Sequence, residues 1–384
     1  MSGPSRDAPA RDSGRPEPWQ AGASDLEALA SEISRQTGAR VTRSEPLAGH
    51  TTMRVGGSAD LLAIPRDVPG LVGLVRAAGG LGLPLTVLGR GSDVVIADAG
   101  IRGLVVLSRA EGCRIAGRRL IAESGLPLAR AAELAERAGL SGLEFGLAIP
   151  GTVGGAVWAN AGAHGTDVAA VLESVTVLRA AGPETTEPVS SLALGYRDSR
   201  FKHNPEEGSA GAPLAEEAHQ AEDAAPATQP VAAAAAPSAA PASPDDLILS
   251  ATFLLTPADP GEIKSRMNEV RRWRQEHQPL NRPSAGSVFR NPPGDSAGRL
   301  IDACGLKGRR IGGALISEKH ANFIVNEGGA TAADIRRLAE LARREVRRQF
   351  GIELVYEIHF VGDWSGWVAE VEETGAGVPP TMPA

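Results

Sequence analysis

Ser287 sits in "SAGSVFRNP", with a glycine before it and strand-forming residues after it, a setting in which serines sometimes act as nucleophiles. A nucleophilic serine needs a histidine base oriented by a carboxylate, and it commonly occupies a G-x-S-x-G turn. Here the run is G-S-V-F-R, so the elbow is absent. Ser287 is therefore either a loop serine bonded to backbone or a group that moves a proton without forming a covalent bond. Two glycine-dense segments carry a second kind of chemistry. In "VLGRGSDVVIAD" the backbone amides of Gly89, Arg90, Gly91, Ser92 and Asp93 follow a strand pattern and could form a concave nest for a phosphate. The dinucleotide fingerprint fails there, because Val94 stands where its third glycine belongs and a strand rather than a helix follows; no G-K-[ST] marks a P-loop. In "GLEFGLAIPGTVGGAVWANAGAHG", Gly151, Gly154, Gly155, Gly162 and Gly165 are spread over small residues, which let a backbone approach a flat, bulky ligand closely. Each segment alone reads as a tight turn. Together, with "TTMRVGGSADLLAIP" upstream, they point to a bound ligand.

These residues need elements to place them. "DVPGLVGLVRAAGGLG" and "PLARAAELAERAGL" have the spacing of helices, while "LPLTVLG", "GLVVLSR" and "RRLIAESG" have that of strands. Helical and strand patterns alternate, so the fold class is α/β or α+β. After Pro257 come two long amphipathic helices, "GEIKSRMNEVRRWRQEH" and "TAADIRRLAELARREVRRQFG", the second with Thr331 as N-cap, Asp334 in a capping-box position and Gly351 as stop. It leads into "IELVYEIHFVG", which reads as an alternating strand. Ile352, Leu354, Tyr356, Ile358 and Phe360 share one face of it, and Glu353, Val355, Glu357 and His359 the other. A C-terminal α+β domain over 260–364 follows. Residues 1–24 and 365–384 read as flexible tails, with order beginning near Asp25. The Ala/Pro-rich stretch 206–246 cannot bury enough apolar surface to offset its ordering entropy. Because "LGYRDSRFKHNP" before it and "LILSATFLLTP" after it both read as strands, it is expected to be an expanded hairpin turn.

The chain has 384 residues, 42% of them hydrophobic, a formal net charge of −7 and only Cys113 and Cys304 as cysteines. Such a chain can bury one large core or several smaller ones, and its acidic balance argues against a general nucleic-acid binder. No C-x-x-C or H-E-x-x-H spacing suggests a metal site. No apolar run approaches a membrane span and the N-terminus lacks the apolar core of a signal peptide, so the expected place is the cytoplasm. Oligomeric state is not legible.

The ordered succession "TTMRVGG", "LGRGSDVVIAD", "IPGTVGGAVWANAGAHG", "GYRDSRFK", "SAGSVFRNP", "KHANFIVN" and "YEIHFVG" resembles the UDP-N-acetylenolpyruvoylglucosamine reductase family of flavoenzymes over roughly 46–363. The resemblance implies α+β architecture: a two-lobed FAD-binding module of the vanillyl-alcohol oxidase type over 46–256, then a substrate-binding domain. No histidine lies beside "LGRGSDVV", so noncovalent FAD is expected, held by residues 89 to 93 and by Gly151, Thr152, Gly154 and Gly155. NADPH would reduce the flavin, which would then reduce UDP-N-acetylglucosamine enolpyruvate to UDP-N-acetylmuramate. By motif match Ser287 is the proton donor, Arg197 grips the enolpyruvyl carboxylate, Glu357 stabilises charge if burial raises its pKa, and Arg290 and Asn291 bind substrate. Taken alone, Arg197 reads as a strand arginine paired with Asp198 and Glu357 as a solvated acid. Family members often carry a lysine about where Gln275 stands; its absence shifts diphosphate recognition toward Arg274, Arg282 or Arg290. The extra loop with a substrate-capping tyrosine is missing, as in the shorter subclass. A flavin oxidase of the same superfamily and a catalytically silent nucleotide-binding regulator are the alternatives.

Overall fold

The structure is a computed structural model and describes residues 22–179, 182–203 and 246–367; the stretch 206–245 and most of both expected tails lie outside these. Among the described residues the α-helices are α1 (Ala23–Thr37), α2 (Val68–Gly80), α3 (Leu128–Arg137), α4 (Val153–Trp158), α5 (Pro260–His277), α6 (Ala297–Ala303) and α7 (Ala332–Phe350). They combine with sheets as an α+β fold.

The first lobe is a four-stranded sheet ordered Val41–Pro46, Ser58–Ala63, Ile101–Leu107, Leu85–Leu88, in which the last three strands are parallel to one another and the first is antiparallel. Both faces of the parallel strands are covered, which is why "LLA", "LVVL" and "LTVL" within them are apolar without alternation. Leu61, Leu104 and Val106 pack on Ile33 of α1 and Leu71, Leu74 and Ala78 of α2. Leu62, Val105 and Leu107 point the other way, onto Leu47 and Ile96. Helix α1 starts at Ala23, in agreement with order beginning near Asp25, and its Ile33 extends the core of this lobe ahead of the expected module start at residue 46.

The second lobe is an antiparallel five-stranded sheet ordered Glu184–Pro188, Leu172–Arg179, Asp246–Leu254, Arg119–Glu123, Cys113–Ala116. Helices α3 and α4 pack on it, and so does α5, which buries Ile263 and Met267 in that core. The expectation that α5 opens the C-terminal domain therefore needs correcting: amphipathic spacing shows that a helix has an apolar face but not which sheet receives it. The expected hairpin is also corrected. Strand Asp246–Leu254 pairs with Leu172–Arg179 and Arg119–Glu123. The "GYRDSRFK" segment is instead a tight turn, in which Gly195 and Asp198 exchange backbone hydrogen bonds of 3.0 and 3.1 Å, followed by the 3-10 helix Arg200–Lys202. Ser199 Oγ on the Trp158 carbonyl (2.5 Å) and Asn160 Nδ2 on that of Gly195 (2.8 Å) divert the chain from any ladder.

The third sheet, ordered Ser284–Ser287, Phe323–Asn326, Ala314–Ile316, Arg310–Ile311, packs with α6 and α7. Thr331 and Asp334 form the capping box of α7, and Gly351 ends it at φ 70°. Asp98 of the first lobe adds hydrogen bonds to the amides of Ala332 and Ala333, at 2.8 and 3.0 Å. The expected C-terminal strand is laddered only over His359–Val361, which pairs in parallel with Val94–Ile96. Upstream, the two-residue alternation persists without a ladder: Leu354 and Ile358 are buried while Val355 is 51% exposed. The chain's C-terminal segment thus crosses back to the strand that follows the 89–93 loop.

Candidate active site

The loop from Gly89 to Asp93 is shaped by what it lacks. A Cβ on Gly89 would lie 2.4 Å from Thr152 Oγ1, and Gly91 has φ 59° with the His50 carbonyl 2.7 Å from where its Cβ would be. No backbone N–H from Gly89 to Asp93, nor those of Gly151 and Thr152, donates to another protein group among the described residues. Adjacent backbone donors left free in a concave loop suit an anion, so this cradle fits the diphosphate of a dinucleotide such as FAD. Gly154 and Gly155 differ: the Gly154 amide is taken by the Ser124 carbonyl at 2.8 Å, and the Gly155 amide by Thr152 Oγ1 at 3.4 Å as α4 starts. Their role is close packing at that start. Arg90 is exposed. Beside it Arg109, which sequence reasoning missed, holds the Gly89 carbonyl at 2.8 Å; burial and then the Arg90 charge push its pKa down. Thr52 joins this loop to the strand carrying Ser287, its amide on the Gly91 carbonyl (3.0 Å) and its hydroxyl on that of Ser284 (2.7 Å).

Arg197 lies in the tight turn at φ 55°. It pairs with Glu357, not Asp198: its Nε donates to Glu357 Oε1 at 2.8 Å and its Nη2 to the Gly162 carbonyl at 2.7 Å, with both side chains 22% exposed. Asp198 turns to His203 at 3.0 Å. Burial opposes the Arg197 charge, but Glu357 prevails and its pKa is raised. Glu357 is fixed by its own amide on the Val288 carbonyl (2.9 Å), one residue beyond Ser287. Ser287 ends its strand opposite Phe323, after Gly286 at φ 79°. Asn322 clamps the following residues through both Phe289 backbone groups, at 3.0 and 2.8 Å. Sequence grouped Arg197, Ser287 and Glu357 by motif; in space Arg197 pairs with Glu357, whose backbone is tied to Val288, the neighbour of Ser287.

The cluster is larger than expected. Burial, then the Glu357 carboxylate, push the Asp93 carboxyl well above the usual range, against the pull of Lys202, Arg197 and Arg290. A raised carboxyl thus stands at Asp93, which had been assigned only to the cofactor. Lys202 donates to the Arg197 carbonyl at 2.8 Å and lies 4.4 Å from the centre of the Trp158 ring. Burial lowers its pKa to about 8, helped by Arg290 and opposed by Asp93, Asp198 and Glu357. His359 stands edge-on to Trp158 at 4.8 Å, and burial, Lys202 and Arg290 lower its pKa to about 3, leaving it neutral. Both lie inside quoted motifs, "GYRDSRFK" and "YEIHFVG", yet nothing in their spacing marked them. Buried Arg290 Nε and His359 Nε2 have no hydrogen-bond partner, and buried polar atoms of this kind are costly unless a ligand or water meets them.

Of the other candidates for substrate, Asn291 is exposed and its Oδ1 accepts from the Ala297 amide at 3.1 Å. Arg282 pairs with Glu327. Arg274 holds Gln278 Oε1 at 3.0 Å and the Leu147 carbonyl at 3.2 Å. Of the three arginines, Arg290 is the one with a buried side-chain nitrogen, Nε, that has no hydrogen-bond partner. Lys319 Nζ donates to the Gln275 carbonyl at 2.6 Å, bringing an ammonium to the position where the expected lysine is missing. Among the described residues no helix is long and apolar enough to cross a membrane.

Comparison with known proteins matches residues 278–361 to the C-terminal domain of UDP-N-acetylenolpyruvoylglucosamine reductase and residues 59–186 to an FAD binding domain. The chain is 40% identical over 335 residues to the UDP-N-acetylenolpyruvoylglucosamine reductase of Anaeromyxobacter sp., covering 87% of this chain and 92% of the relative. It is 39% identical over 325 residues to UDP-N-acetylenolpyruvoylglucosamine reductase 2 of Symbiobacterium thermophilum, covering 84% and 92%. The crystal structure of the Thermus caldophilus UDP-N-acetylenolpyruvylglucosamine reductase superposes with a TM-score of 0.63 at 32% identity, over 84% of this chain and 98% of that one.

Proposed function

The chain belongs to the UDP-N-acetylenolpyruvoylglucosamine reductase family, and from that premise we propose that it reduces UDP-N-acetylglucosamine enolpyruvate to UDP-N-acetylmuramate, a step of peptidoglycan precursor synthesis, at the expense of NADPH. FAD, when bound, would supply the two-electron chemistry that couples oxidation of NADPH to hydride addition at the terminal vinyl carbon. The amides of residues 89 to 93, with those of Gly151 and Thr152, would hold its diphosphate. The rest falls to side chains. Hydride arrival leaves negative charge on the carbon next to the carboxylate and on the carboxylate itself. Arg197, permanently charged and planar, suits that carboxylate, and its tie to Glu357 fixes the guanidinium before substrate arrives, so little reorganisation is needed. Ser287 delivers the proton to carbon. A hydroxyl is a weak acid, so its value lies in alignment and in the positive field of Arg197 and Arg290. Arg290, with its unfilled Nε, and Lys319 on the Gln275 carbonyl are the basic groups assigned to the substrate diphosphate, with Asn291 bordering them. We place the substrate-binding domain after α5, from about residue 278, and the enzyme in the cytoplasm.

The observation that carries this reading is the Arg197 to Glu357 pair, set beside buried polar atoms without partners and joined through Asp93 to a loop of free amides. Anaerobic stopped-flow spectroscopy tests it. NADPH should bleach the flavin, and the enolpyruvyl nucleotide should then restore its colour. Bleaching by an alcohol alone would favour a flavin oxidase, and protein that stays colourless after incubation with FAD would favour a silent nucleotide binder.

A further inference from the structure

Arg197 does its work from a left-handed conformation that an L-residue adopts only at a cost in free energy. At φ 55° it fills a turn position usually given to glycine or asparagine. Something must hold it there. The turn's outer side is tied by Asn160 on the Gly195 carbonyl and by Ser199 on Trp158. On its inner side the carbonyl of Arg197 itself accepts from Lys202 Nζ at 2.8 Å. The ammonium cannot wander, because the Trp158 ring lies 4.4 Å away, in cation–π range, and Trp158 is itself anchored by its Nε1 on the Phe201 carbonyl at 3.0 Å.

We propose that Lys202 is a positioning residue of this enzyme: by gripping the backbone of Arg197 it holds the guanidinium in its left-handed turn, aimed at Glu357 and at the substrate carboxylate. The proposal rests on the reductase reading above. Its consequence is a pH dependence. The titratable and charged groups facing Lys202 are Asp93, with its raised carboxyl, the acids Asp198 and Glu357 and the guanidinium of Arg290, with His359 neutral beside them. Burial brings the Lys202 pKa to about 8, so above that pH the Arg197 carbonyl loses a charge-assisted donor and the substrate carboxylate loses a nearby positive charge. Stability moves in the other direction. Between about 8 and the ordinary lysine value of 10.5 the unfolded chain binds more protons than the folded one, so through Lys202 the fold gains stability as pH rises. An alkaline loss of activity in that window is therefore not unfolding caused by Lys202.

The test uses the FAD-loaded enzyme and the variants Lys202→Arg and Lys202→Met. In the parent, reoxidation of reduced flavin by substrate should fall with a midpoint near pH 8. Lys202→Arg, charged at every pH used, should keep the rate level to about pH 9.5. Lys202→Met should lose roughly tenfold at pH 7, mostly as a fall in kcat. Independently of turnover, a crystal structure of Lys202→Met should show Arg197 out of the left-handed region or its contact with Glu357 broken. An unchanged alkaline limb in Lys202→Arg, or an unmoved Arg197 in Lys202→Met, overturns the proposal. Failure of NADPH to bleach the parent's flavin would instead overturn the reductase reading, and the Lys202→Met structure would still decide the role of Lys202.

Discussion

The loop of residues 89 to 93 and the cluster around Arg197 meet at Asp93, yet they are built on opposite principles. The loop is local: neighbours in sequence present backbone N–H groups, and its specificity comes from side chains that are missing, since a Cβ at Gly89 or Gly91 has no room. The cluster is long-range: Arg197 and Glu357 are 160 residues apart in sequence, Lys202 and His359 lie on the same two segments as these, and Asp93 and Arg290 come from two further ones. Backbone donors need no pKa tuning and change little with pH. Side chains packed this closely shift one another, so the charge state of the cluster depends on all its members. One region should fail by steric intrusion and the other by loss of charge or hydrogen bonding, and the two failures should be separable.

The largest separation is expected from Arg197→Lys. A lysine cannot serve both Glu357 and the Gly162 carbonyl as the guanidinium does, so reoxidation by substrate should slow by about 10²–10³, while the protein should still purify with its flavin. Next comes Gly89→Ala, the reverse case. Its methyl would press on Thr152 Oγ1 at 2.4 Å, and overpacking of this kind costs about 1–3 kcal/mol. FAD retention measured by dialysis should fall roughly tenfold or more, and adding Thr152→Ala should restore part of it. If Gly89→Ala retained FAD normally and lost only the substrate step, the division between the regions would collapse. The smallest effect concerns His359. With a pKa of about 3 it should show no titration by NMR between pH 5 and 8, and a His359 resonance that moved through that range would contradict the burial of its ring. The sign for stability is that the unfolded chain binds the extra proton between about 3 and the usual 6.5, so this residue makes the fold weaken as pH drops through that window.

Much of the loop was legible because its chemistry is contiguous: a strand followed directly by glycines at 89 and 91, where a Cβ has no room. The capping box of α7 was legible for the same reason. The cluster was not. A two-residue alternation put Glu357 on the face opposite the apolar one, which is correct, but the same pattern cannot distinguish water from a cleft lined by Arg197. Nothing local marked Lys202, because its partner is a backbone carbonyl that exists only once Arg197 is in its turn. The assignments of Arg197, Ser287 and Glu357 came from motif resemblance, not from residue chemistry. The hairpin expectation failed because strand propensity in "GYRDSRFK" yielded to the side-chain ties of Ser199 and Asn160, and the placement of α5 failed because periodicity is silent about partners.

If hydride comes from the flavin and the proton from Ser287, then Ser287→Ala should separate the two half-reactions under anaerobic stopped flow. NADPH should reduce the flavin at close to the parental rate, whereas reoxidation by the enolpyruvyl nucleotide should slow by about 10²–10⁴, the range for loss of a positioned acid. Reoxidation at the parental rate would assign the proton to another group.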